Sequence, residues 1–117
     1  MLQFNNKNFN TSSEIFFDIF NDKLKLIIVW YLKNNPLRFK ELFECLQPIT
    51  KKTLTIKLKE LEQLNLINRE VFAQVPPKVE YSLNQYGNDL KPVIDAILIW
   101  SQKYAKVFAK TVDEDLK

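Results

Sequence analysis

The sequence predicts a mainly α-helical domain carrying one small antiparallel β-hairpin. Apolar residues recur at helical spacing through most of the stretch from Ser12 to Phe108, with capping residues where each run begins. Strict alternation of apolar and polar residues is confined to "INREVFA" and "KVEYSLN", which the turn-forming "QVPP" separates. At 117 residues, 46% hydrophobic and with a single glycine, the chain has the size of one domain and no stretch with the composition of a flexible linker.

Each element follows from local signals. Thr11 and Glu14 have capping-box spacing before "IFFDIF", which predicts a short helix over 12–20 with Phe16, Phe17 and Phe20 on it. Asp22 is placed to cap a helix through Lys33, whose apolar residues Leu26 to Leu32 point nearly all round, so it should be buried on most sides. Asn34, Asn35 and Pro36 stop it, "LRF" can add a short strand, and "KELFECLQ" resumes helical spacing with Phe39, Leu42, Phe43 and Leu46 on one side. Pro48 ends that helix and Thr50 is placed to cap the next, in which Leu54, Leu58, Leu61 and Leu64 share one apolar sector. Lys52, Thr55, Ile56 and Lys59 fall on the opposite side of that helix. Asn65 can take the left-handed conformation that closes it. In the hairpin that follows, Val79, Tyr81 and Leu83 share one face while Lys78, Glu80 and Ser82 share the other. Asn84 then caps a long helix over 85–108, with Pro92 bending its first turns.

Composition excludes several chemistries. With no histidine and one cysteine, Cys45, the chain alone can build neither a His-based triad, a Cys–His pair nor a zinc site of normal spacing, and the lone Gly87 rules out a glycine-rich phosphate loop. Glu41 with Glu44, and Asp113 with Glu114 and Asp115, read as solvated faces rather than catalytic pairs. No enzyme activity and no cofactor are expected. A single cysteine permits no intrachain disulfide, no apolar run approaches the roughly 20 residues of a membrane span, and no charged-then-apolar leader opens the chain. A cytosolic protein without a membrane partner is the expectation.

Charge is more informative locally than globally. The net value is only +3, yet four lysines and no acid lie between Thr50 and Lys59. Two short helices, the second basic and followed by a hairpin, are the parts of a winged helix-turn-helix over 39–83, whose second helix enters the DNA major groove while the first crosses the backbone. On that reading Lys52, Thr55, Ile56 and Lys59 face the groove, Lys51 flanks it, Thr50 with the helix start holds a phosphate, and Thr53 lies near the bases. Arg38, and Gln74 and Lys78 on the wing, complete the candidate set. Ile56 is the telling residue: an exposed apolar side chain there has no folding role but suits a thymine methyl. A lysine face kept for solubility is the competing reading, and Arg69 can either bind phosphate or pair with Glu70 or Glu80.

The segment from "PLRFKEL" through "LTIKLKELE" to "VPPKVEYSLNQYG" and "LKPV" resembles the HxlR family of bacterial winged-helix transcription regulators, related in fold to the MarR group, over about residues 22–100. The resemblance implies a cytosolic homodimer that binds a dyad-symmetric operator on double-stranded DNA, often beside its own gene, and represses or activates transcription. The chain departs from the pattern in having "NDKL", Asn21 to Leu24, where the family often has "GGKW", and Asn65 where a glycine is common. Thiol-sensing members carry a cysteine just before the first helix, and "MLQFNNKNFNTSSE" has none. Cys45 reads as a half-buried structural residue, with no lysine in its own turn to favour a thiolate.

The terminal helices, over about 12–20 and 85–108, are more apolar than one small domain can cover. Phe9, Phe16, Phe17, Phe20, Ile94, Ile97, Leu98, Tyr104 and Phe108 are therefore expected at a two-fold dimer interface; the competing arrangement packs the two terminal helices on each other within one chain. Trp30, Tyr31 and Trp100 are candidates to line a pocket for an unidentified small-molecule effector, with ordinary core packing as the other reading. A winged helix that docks a protein partner, without specific DNA binding, is the alternative function.

Overall fold

The computed structural model describes residues 1–112, so the acidic run at 113–115 lies outside the described residues. The chain opens with an element that sequence patterning did not suggest: β1 (Leu2–Phe4) and β2 (Lys7–Phe9) pair antiparallel, Leu2 opposite Phe9 and Phe4 opposite Lys7. Asn5 and Asn6 join them, both left-handed at φ 53° and 63°, as a two-residue hairpin turn that matches strand twist requires. Lys7 reaches Asp18 at 2.9 Å and ties this hairpin to α1 (Ser12–Ile19). The capping box at the start of α1 is only half formed and displaced by one residue. Glu14 accepts from the amide of Asn10 at 2.9 Å, while the Thr11 hydroxyl turns to Ser13 instead of to the helix.

Asp22 caps α2 (Lys23–Leu32) by accepting from the Leu24 amide at 2.9 Å. Ile28, Val29 and Leu32 of this helix are buried, and with Leu42 of α3 (Phe39–Cys45) and Leu54, Leu58 and Leu61 of α4 (Lys51–Gln63) they make the centre of the core. Thr50 accepts from the Thr53 amide at 3.1 Å, the capping bond its spacing predicted. Helix α4 ends in a Schellman turn: Asn65 is left-handed at φ 59°, its amide bonds Glu62 O, and the Leu66 amide bonds Leu61 O.

The wing consists of β4 (Ile67–Phe72) and β5 (Lys78–Leu83), antiparallel with Ile67 opposite Leu83 and Phe72 opposite Lys78. The short β3 (Leu37–Arg38) pairs with the other edge of β5, giving the order β3-β5-β4 and anchoring the wing beside α3. Tyr81 turns into the core as its alternation predicted, flanked by the partly buried Val79 and Leu83. The long terminal helix is in fact two elements. After α5 (Gln85–Asn88) the helix breaks at Asp89 and Leu90, and α6 (Lys91–Phe108) starts afresh. Pro92 explains the break: in a continuous helix its ring would meet the carbonyl of Asn88, whereas in the first turn of a new helix its missing N–H is not needed.

Ile94 is the one residue of α6 that enters the core; from Ile99 to Phe108 every residue is exposed. No described helix is long and apolar enough to cross a membrane.

Candidate nucleic-acid interface

The outward face of α4 carries Lys52, Thr55, Ile56 and Lys59 exposed together, opposite the buried leucine stripe. Ile56 keeps 44% of its surface accessible, an apolar side chain set among the polar residues of this face. Lys52 and Lys59 have no acidic partner among the described residues, so their full charge stands off the helix. Lys51 lies 5.8 Å from the Phe43 ring centre, which holds its stem beside the helix start. The Thr55 hydroxyl donates to Lys51 O at 2.8 Å, leaving its oxygen as an acceptor and its methyl as an apolar contact. Thr53 is half-buried and bonded to Thr50 at 2.9 Å; both threonines fix the helix start, and the amides of the first turn point along the axis to solvent.

Arg38 is exposed at the start of α3, its amide donating to Glu41 at 2.8 Å and its guanidinium without an ion pair among the described residues. Gln74 is exposed at the wing tip. Lys78 is not at liberty in the same way: it bonds Glu80 at 3.1 Å and sits 4.9 Å from the Phe72 ring centre. Arg69 is exposed and makes neither of the ion pairs considered for it. Lys23, which sequence reasoning passed over, is exposed on the wall of a cleft it shares with Thr50 and Thr53. Its only sequence signal was a position beside the Asp22 cap.

Of the four lysines of α4, Lys57 is the exception. Its ammonium donates to Asp22 at 2.7 Å and lies 3.9 Å from Glu60, while Lys25 bonds Glu60 at 2.9 Å. The hydrogen bond to Asp22 raises the Lys57 pKa above its ordinary value, and the same bond holds the Asp22 carboxyl below its own. Lys57 is thus spent inside the fold, and the charge α4 offers to solvent is that of Lys51, Lys52 and Lys59.

Several expectations are corrected. Phe9, 9% exposed, and Ile94, 3% exposed, lie inside their own chain and fill its core instead of an interface between copies. Phe17, Ile97, Tyr104 and Phe108 are exposed as an interface needs, and Phe16, Phe20 and Leu98 are half-buried. The terminal helices do not cover each other, since α6 projects beyond the domain. Cys45 is exposed, not half-buried: it is the last residue of α3, and the neighbouring Leu46, not Cys45, packs against the core. Within one copy Trp30, Tyr31 and Trp100 line separate surfaces, so the pocket expected of them in a dimer would need the second copy: Tyr31 lines the cleft of about 720 Å³ with Lys23 and Cys45, Trp30 lines a crevice of about 220 Å³ against Ile94, and Trp100 lies on the outer side of α6.

Comparison with known proteins is consistent across sequence and structure. Residues 19–108 match the family model described as HxlR-like helix-turn-helix. The uncharacterized HTH-type transcriptional regulator YdeP of Bacillus subtilis is 45% identical over 87 residues, 74% of this chain and 68% of that protein. YkvN of the same organism, also named an HTH-type transcriptional regulator, is 37% identical over 100 residues, 86% of this chain and 85% of the relative. Among solved structures, the redox regulator HypR in its reduced form superposes with a TM-score of 0.77 at 35% identity, covering 83% of this chain and 96% of that one. The reduced transcriptional regulator YodB of B. subtilis gives 0.70 at 31% identity, covering 91% and 100%.

Proposed function

The chain belongs to the HxlR-like helix-turn-helix family, a DNA-binding transcriptional regulator and not an enzyme, and we propose that it acts as a homodimer on a dyad-symmetric operator, repressing transcription at or near its own gene. The observation that carries this reading is the outer face of α4, where Ile56 is exposed among unpaired Lys52 and Lys59. In the bound state those lysines and the amides at the start of α4 meet phosphates, while Thr55 and Ile56 meet base edges. Thr50, Lys51 and Thr53 order the helix start, Arg38 takes the flanking phosphates, and Gln74 brings the wing to the backbone beyond, where Lys78 must exchange its bond to Glu80 for one to phosphate.

The dimer reading is supported by the uncovered face of α6. Trp100, Tyr104 and Phe108 form a ladder of rings with centres 5.1 and 4.8 Å apart, and Phe108 is 70% exposed. A second copy burying this ladder would set two recognition helices about 34 Å apart, one turn of B-DNA.

The test is a fluorescence-anisotropy titration against a duplex from the region upstream of the gene and a random duplex, at two salt concentrations. About a hundredfold preference for the upstream duplex, weakened by salt, is the expected result. Binding that ignores salt would move the protein into the class of protein-interaction modules. Gel filtration yielding only monomer at micromolar concentration would remove the dimer.

A further inference from the structure

We propose that Asp22, Lys25, Lys57 and Glu60 form a two-rung charged ladder that fixes the register of the recognition helix on α2, making Lys57 a positioning residue that acts on DNA through Asp22 and not through a phosphate. The inference rests on the DNA-binding reading of α4 and adds what holds that helix in place.

The rungs are Asp22–Lys57 at 2.7 Å and Lys25–Glu60 at 2.9 Å. Residues 22 and 25 sit one turn apart at the start of α2, and 57 and 60 one turn apart on α4, so the rungs lie side by side. Their charges alternate: negative then positive on α2, positive then negative on α4. Sliding α4 by one turn would set Lys57 against Lys25, or Glu60 against Asp22, so the neighbouring registers carry like-charge contacts that the observed one avoids. The leucine stripe of Leu54, Leu58 and Leu61 packs with Ile28, Val29 and Leu32 of α2, and to the shape fit of those side chains the ladder adds a discrimination by sign of charge.

The ladder is also held from outside. One oxygen of Asp22 takes the ammonium of Lys57 while the other accepts from the Leu24 amide, which orients the carboxylate from α2, whose Ile28 and Val29 are fully buried. Lys25, with only 12% of its side chain exposed, bonds Ile19 O at 3.3 Å as well as Glu60. Lys57 directly follows Thr55 and Ile56 in the sequence, so a turn of α4 that strains the first rung displaces both candidate base-reading side chains.

Lys57→Gln removes the first rung, Asp22→Asn removes its charge while keeping an oxygen for the helix cap, and Lys52→Ala is the reference for a lost phosphate contact. Each variant is titrated with a duplex selected by the wild-type protein and with a random duplex across a salt series. Lys57→Gln and Asp22→Asn should each lower the preference for the selected duplex about tenfold, the size of one lost base contact, and the double variant should lose no more than either alone. The Lys57→Gln salt slope should equal that of wild type, and Lys57→Arg, which can still reach Asp22, should restore the preference. A slope reduced by about 0.9, as for a lost phosphate contact, would overturn the proposal, as would additive losses in the double variant. Reversing the second rung with Lys25→Glu and Glu60→Lys together restores its attraction but sets like charges side by side on each helix, so the preference should stay below that of wild type; full recovery would also overturn the proposal. If the wild type prefers no duplex at all, the DNA-binding reading fails instead, and the ladder is then judged by hydrogen exchange of the α4 amides. Exchange in Lys57→Gln that is faster than in wild type supports it, and unchanged exchange sinks it.

Discussion

Gly87→Ala is expected to be among the more damaging single-methyl additions this chain can suffer. Gly87 lies in the one-turn helix α5 with no positive φ, so its backbone would suit alanine; what forbids the methyl is space. A Cβ there would collide with the carbonyl oxygen of Leu66 and stand 3.2 Å from Leu83 Cβ, where ordinary contact begins at 3.4 Å. The Leu66 carbonyl cannot simply swing aside, because it accepts from the Asn84 amide at 3.1 Å, at the junction where the wing leads into α5. Overpacking of this kind costs about 1–3 kcal/mol, and weakening the Asn84 bond adds about 1 kcal/mol. Alanine returns up to about 1 kcal/mol through helix propensity and a less flexible unfolded chain. The net expectation is a loss of about 2 kcal/mol, equivalent to a melting temperature lower by about 10 °C for a domain of this size. Urea unfolding followed by far-UV circular dichroism, at one fixed protein concentration, reads it directly. A variant within about 0.5 kcal/mol of wild type would refute the reasoning, since it would mean that α5 and the end of α4 move apart freely.

Three further outcomes are expected. Lys52→Ala with Lys59→Ala should flatten the log–log salt dependence of DNA binding by about 1.8, at about 0.9 for each lost phosphate contact, in an anisotropy salt series; an unchanged slope would put the DNA face elsewhere. Tyr104→Asp should move the protein from dimer to monomer in gel filtration while its circular dichroism spectrum holds, because its 53% exposed ring leaves the monomer fold little to lose. The Asp22 carboxyl is held below its ordinary 3.8 and the Lys57 ammonium above its ordinary 10.5. The stability that the pair contributes is therefore full between those values, lost on the acid side as pH falls through the lowered Asp22 pKa, and lost on the alkaline side as pH rises through the raised Lys57 pKa. The urea-midpoint gap between wild type and Asp22→Asn should accordingly stay constant from about pH 5 to 9 and narrow as pH falls through the lowered Asp22 pKa.

Much of the fold was legible because its punctuation is local. Asp22 and Thr50 cap the helices their spacing assigned, Asn84 caps the first turn of what proves to be two helices, and the alternation of "KVEYSLN" puts Tyr81 in the core. The N-terminal hairpin escaped notice because its strands have three residues each, too few to show a period, and because Asn–Asn is a weaker turn signal than Asn–Gly. The break before α6 was signalled by Pro92, but a bend and a restart leave the same mark in a sequence. On the candidate DNA face, the exposure of Lys52, Thr55, Ile56 and Lys59 follows from the leucine stripe alone. The fate of Lys57 does not, since its partner lies 35 residues away. Lys78 was the more readable case: Glu80 is two residues along the same strand and so shares its face.

The left-handed Asn65 also constrains what this chain can become. Glycine would adopt its φ of 59° with less strain, so an exchange to glycine looks like an improvement at that site taken alone. Yet the Asn84 side chain donates to Asn65 Oδ1 at 2.9 Å and to Asn65 O at 2.7 Å, so Asn65 links the end of the recognition helix to the cap of α5. Glycine would keep the backbone half of that link and lose the other. The two asparagines are therefore not independent letters: what a glycine at 65 does to stability depends on which residue occupies 84.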